Sequence, residues 1–91
     1  MSVKVLAIDD SRTMLGLVRK VMTDAGFDCV SAEDGEKGLE VFSREAPDVV
    51  ITDINMPRMD GYGVINAIRG GKANRTVPIL VLTTESADHL K

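Results

Sequence analysis

A doubly wound α/β sheet is predicted for these 91 residues by short continuous runs of Val, Ile and Leu, helical apolar periodicity between them, and regular alternation of the two. Residues 3–8, 48–52 and 78–83 form the apolar runs. Their lack of strict alternation suits strands buried on both faces of a parallel sheet. Residues 27–31 alternate polar and apolar side chains instead, as an edge strand does.

The helices are read from caps and periodicity. Ser11 can cap a first helix whose Met14, Val18, Val21, Met22 and Ala25 fall on one face, with Gly26 at its end. A second helix begins near Asp34 and uses Leu39 and Phe42. A third begins near Asp60, uses Val64, Ile65 and Ile68, and stops at Gly70-Gly71. Right-handed crossovers between parallel strands then place helices on both faces of the sheet, in the flavodoxin-like strand order 2-1-3-4. Thr83-Thr84-Glu85-Ser86 reads as the start of a fourth helix that reaches Lys91 after about two turns. The fold is therefore expected to be unfinished. The fourth strand becomes an open edge that invites pairing with a second chain.

Composition narrows the function classes. One domain is the most that this length allows, and its core is near the lower limit for independent stability. An apolar fraction of 44% with dispersed charges fits a soluble globular chain. A net charge of −3 without a basic cluster argues against nucleic acid as a partner. Cys29 is the only cysteine, which excludes an intrachain disulfide, fits a reducing cytoplasm and suits a small core residue. No long apolar segment suggests a signal peptide or a membrane span, so a cytoplasmic location is expected.

The chemistry lies in three acids. Open parallel sheets bind ligands beyond the carboxyl ends of their strands, where strand order reverses. Asp9 and Asp10 directly follow the first strand and Asp53 follows the third, which are neighbours in the expected order. Three carboxylates in one crevice require either raised pKa values or a cation. Oxygen donors without histidine or thiol favour Mg²⁺, or Mn²⁺ as its substitute. Taken singly, each Asp is better read as a helix cap or a solvated turn residue. Their convergence at two strand ends, each closing a buried run, favours a site. A carboxylate beside such a cation can attack phosphorus and form a mixed anhydride. Thr83 follows the fourth strand, and its hydroxyl could reach a phosphoryl oxygen on Asp53. It could equally cap the next helix, a role for which Thr84 competes, and chemistry alone leaves both readings open.

Three segments together resemble the receiver domains of two-component response regulators, most closely single-domain chemotaxis regulators of the CheY type. They are Asp9-Asp10-Ser11-Arg12-Thr13-Met14, the stretch from Thr52-Asp53-Ile54-Asn55 through Met56-Pro57-Arg58-Met59-Asp60-Gly61, and Leu82-Thr83-Thr84-Glu85. The likeness covers essentially all of residues 1–91. It implies that Asp53 is the phosphoacceptor, that Asp10 and Asp53 bind Mg²⁺ directly, that Asp9 does so through water, and that Asn55 uses its backbone carbonyl. It also implies that Thr83 is the switch hydroxyl and that Pro57 and Gly61 shape the loop. The implied donor is a phosphohistidine on a histidine kinase. The implied target is a downstream protein such as a flagellar motor component. The product is a phosphorylatable switch with slow loss of its own phosphoryl group, rather than a turnover enzyme.

Family members continue into a fifth strand ending in a Lys-Pro pair and a fifth helix. Residues 1–91 contain neither, so the lysine that pairs with the phosphoryl group is missing from this sequence. An engineered truncation, a proteolytic product or a genomic fragment of a full receiver is expected. The alternative function is a non-phosphorylatable receiver fragment that acts only as a self-associating scaffold, as a homodimer through the fourth strand or by exchange of elements. An Asp-nucleophile phosphatase fits less well, because Asn55 stands where those enzymes carry a second Asp. A flavin-binding reading lacks a Ser/Thr-Gly phosphate loop after the first strand.

Overall fold

The computed structural model describes residues 3–54, 61–71, 74 and 76–82. Four parallel strands and three helices alternate along them: β1 (Lys4–Ile8), α1 (Arg12–Asp24), β2 (Asp28–Ala32), α2 (Gly35–Glu45), β3 (Val49–Asp53), α3 (Gly61–Gly70) and β4 (Ile79–Leu82). The sheet order is β2-β1-β3-β4, the flavodoxin-like order expected. Strand limits differ from the sequence reading by about one residue, which is ordinary for ends defined by hydrogen bonds. Asp48 precedes β3, where its Oδ2 accepts the Lys4 amide at 2.9 Å, and its own amide donates to the Lys4 carbonyl.

The core explains which face each element turns inward. Leu6, Ile8, Val50, Phe42, Val64, Ile68, Ala32 and Val77 form one buried cluster beneath α2 and α3. Helix α2 lies close to β1 because Gly38 allows it: a Cβ there would stand 2.5 Å from Ile8 Cδ1. α2 begins at Asp34, whose Oδ1 accepts the Lys37 amide at 2.8 Å, and ends at Ala46 in the left-handed region with φ 46°.

Helix α1 departs from the expected pattern. Its buried residue is Leu15, with Met14, Val18 and Met22 half-buried, whereas Val21 and Ala25 are exposed. The helix packs chiefly against β1 and β2, so a narrow stripe is covered and the apolar residues beside it face outward. Cys29 is half-buried on the edge strand rather than a core residue, and burial pushes its thiol pKa up.

Candidate functional site: a carboxylate cluster at the strand ends

The ends of β1 and β3 are fixed by a register that pairs Ile8 with Thr52 and sets the next residues, Asp9 and Asp53, side by side. Beyond β1 the chain turns at once into α1. The Ser11 Oγ accepts the Met14 amide at 3.3 Å, capping the helix, while the Ser11 amide donates to Asp9 Oδ1 at 2.9 Å. The Asp9 amide donates to the Ala32 carbonyl at 3.2 Å and ties this turn to the end of β2. Asp9 is thus held from both sides while Asp10 projects outward.

One carboxylate oxygen from each of Asp9, Asp10 and Asp53 can be chosen so that all three lie within 4.8 Å of one another. Asp9 is buried, Asp53 half-buried and Asp10 exposed. Burial is the main cause that raises the Asp9 pKa above the usual carboxylate range. The Ser11 amide opposes it, and the charges of Asp53 and Asp10 add to it. A hard divalent cation fits this donor set, which is all oxygen, concentrated in negative charge and open on the Asp10 side.

Gly61 begins α3 directly against the same strand end. Its amide donates to the Ile54 carbonyl at 2.9 Å, and a Cβ there would stand 2.5 Å from the Asp53 carbonyl oxygen and 2.9 Å from Ile54 Cα. This close approach closes the base of the connection from β3 to α3. Asn55, Pro57 and Thr83 lie outside the described residues. Thr52, inside the apolar run 48–52, is fully buried, and its Oγ1 donates to the Asp53 carbonyl at 3.0 Å. A hydroxyl inside a Val- and Ile-rich strand was the available signal.

Comparison with known proteins gives the family directly. Residues 5–91 match the response regulator receiver domain. The chain belongs to the response regulator receiver family. This receiver is 36% identical over 84 residues to a probable chemotaxis protein CheY of Rhizobium etli, spanning 91% of this chain and 65% of that one. It is 44% identical over 80 residues to a probable transcriptional regulator ycf27 of Guillardia theta, spanning 88% of this chain and 30% of the relative. The chain thus spans about a third of the length of the ycf27 relatives it matches. Among solved structures, the chemotaxis response regulator CheY4 of Vibrio cholerae superposes with a TM-score of 0.90 at 37% identity, over 99% of this receiver and 75% of that chain. A response regulator protein from Burkholderia multivorans is 45% identical with a TM-score of 0.71, over all of this chain and 73% of that one.

Proposed function

We propose that this receiver accepts a phosphoryl group on Asp53 in a two-component phosphorelay, with Mg²⁺ held by Asp9, Asp10 and Asp53. The observation that carries this reading is the meeting of three carboxylates within 4.8 Å at the carboxyl ends of β1 and β3. When bound, the cation supplies charge neutralisation for the transferred group. The remaining work falls to the protein. Asp53 stands at the open end of β3, where an oxygen of its carboxylate attacks phosphorus on a phosphohistidine of a histidine kinase. A P–O bond forms and the P–N bond breaks; the electron pair stays on the imidazole nitrogen, which takes a proton, and an acyl phosphate remains on Asp53.

By the same reading, the Asn55 backbone carbonyl completes the cation's donors. The Thr83 hydroxyl reads out the phosphoryl group, and Pro57 and Gly61 shape the connecting loop. The molecule is a switch that sheds its phosphoryl group slowly. Its output is binding of a downstream protein, with chemotaxis as the setting and a flagellar motor component as the type of target. The high structural likeness to the Vibrio cholerae chemotaxis regulator and the identity with the Rhizobium etli relative support that setting. The proposed location is the cytoplasm, and no described helix is long and apolar enough to cross a membrane.

Acetyl phosphate with Mg²⁺ tests the reading. The expected result is one phosphoryl adduct that maps to Asp53 and is lost in Asp53→Asn. An intact parent protein that binds Mg²⁺ yet forms no adduct would refute phosphoacceptance.

A second reading, a self-associating scaffold, is favoured by one observation. In the described sheet β4 is an edge strand with Leu80 57% and Val81 37% exposed. Light scattering separates the two, because a monomer at micromolar concentration rules out the homodimer.

A further inference from the structure

Apart from Asp9, Thr52 is the only buried polar residue among those described, and no part of it reaches solvent. It lies in register with Ile8 and Val81, on the sheet face that carries Leu6 and Val50, whose buried cluster also takes in Val64 of α3. Valine would fill this position with nearly the same volume, the same strand preference and no hydroxyl to satisfy. The hydroxyl spends its hydrogen on a single acceptor, the carbonyl of Asp53 at 3.0 Å. That oxygen is enclosed from another direction by Gly61, which packs so near that a Cβ would overlap it. The Gly61 amide in turn holds the Ile54 carbonyl. The peptide plane between Asp53 and Ile54 is therefore fixed at its oxygen and at the following residue. It sets how the chain leaves β3 and how the Asp53 side chain is aimed.

We infer that Thr52 is a positioning residue for Asp53: its hydroxyl locks the Asp53–Ile54 peptide so that the Asp53 carboxylate stays with those of Asp9 and Asp10. This rests on the reading of the cluster as a cation site. Thr52 touches neither cation nor phosphoryl group and acts only through the backbone of its neighbour. The two roles open to it make opposite demands. A packing role depends on the methyl group, and a positioning role depends on the hydroxyl.

The test compares the parent chain with Thr52→Val and Thr52→Ser, by calorimetric titration with Mg²⁺ and by thermal melting in chelator. Thr52→Val is expected to melt lower, because a buried hydrogen bond present without metal is lost, and also to weaken Mg²⁺ binding by up to about tenfold, the most that one net hydrogen bond spans. Thr52→Ser is expected to melt lower, because a buried methyl is lost, yet to bind Mg²⁺ like the parent. Equal Mg²⁺ affinity in the parent and Thr52→Val, or a loss in Thr52→Ser matching that in Thr52→Val, overturns the inference and leaves the cation site standing. A parent that binds no Mg²⁺ overturns the cation site, and this inference with it. Should Thr52→Val fail to fold, Thr52→Cys replaces it. With a weak donor in a similar volume, it is expected to bind between the parent and the valine level, and parent-level binding counts against positioning.

Discussion

Replacing Asp53 by Asn removes one of three clustered charges at nearly constant shape, so its effect on stability follows from the spacing. Two unit charges at 4.8 Å, the outer limit of separation in this cluster, repel by about 0.9 kcal/mol in water and about 3.5 kcal/mol at an effective dielectric of 20. Asp9 is buried and Asp53 half-buried, which places their pair between these limits. Asp10 is exposed, and its share lies at the lower one. In chelator, Asp53→Asn should therefore gain about 1 kcal/mol or more, and a domain of this size gains about 4–8 °C in Tm per kcal/mol. With Mg²⁺ at about 100 times its dissociation constant the parent should gain about 2.7 kcal/mol, and the variant, short of one donor, far less. The two melting curves should change order between chelator and Mg²⁺. Asp10→Asn should show the same inversion with a smaller gain in chelator. Calorimetric melts of all three proteins check this. An Asp53→Asn protein that melts below the parent in chelator, or responds equally to Mg²⁺, refutes the reasoning that these carboxylates repel one another and share a cation.

Other perturbations separate site geometry from fold. Gly61→Ala places a Cβ against backbone, 2.5 Å from the Asp53 carbonyl oxygen, so it should lower both Tm and Mg²⁺ affinity. Gly38→Ala meets the buried side chain of Ile8 at Cδ1, Cγ1 and Cγ2 rather than backbone; its overpacking cost of about 1–3 kcal/mol is partly offset by better helix propensity, and Mg²⁺ titration should return the parental affinity. Ala46→Gly relieves a left-handed conformation that costs an L-residue about 1–2 kcal/mol, less the extra entropy of glycine in the unfolded chain. Denaturant melts should show a net gain below about 1 kcal/mol.

The Lys4–Glu45 ion pair at 2.9 Å predicts a pH window. The hydrogen bond from Lys4 lowers the Glu45 pKa from its ordinary 4.5, and the same bond raises Lys4 from 10.5. The Glu45 contribution to stability is present above 4.5 and lost as pH falls through its depressed value. The Lys4 contribution is present below 10.5 and lost as pH rises through its raised value. Lys4→Met should flatten the pH dependence of Tm at both ends.

Much of this architecture was readable because β1 and β3 are continuous apolar runs that end in acids, and the alternation of strands and helices fits the flavodoxin-like strand order. The meeting of Asp9 and Asp53 was legible for the same reason, since the ends of adjacent parallel strands coincide. What escaped the sequence depends on contacts between elements. Helix α1 carries apolar residues on more than one side, so periodicity alone could not select Leu15 over Val21 and Ala25. The left-handed Ala46 carries no glycine signal, and Pro47 alone does not specify it. Thr52 looks like any β-branched strand residue until its neighbour's carbonyl is placed beside it.

The sequence positions of the acids bear on when the cluster comes into being. Asp9 and Asp53 are separated by a helix, a strand and a second helix, and they meet only after β3 has paired with β1. Sequence-distant contacts of this kind cost loop entropy before they return anything, so the cluster should assemble late along the folding route. An ion gripped by all three acids would then lengthen the lifetime of the native state without hastening its arrival, and in stopped-flow kinetics magnesium would act on the unfolding arm.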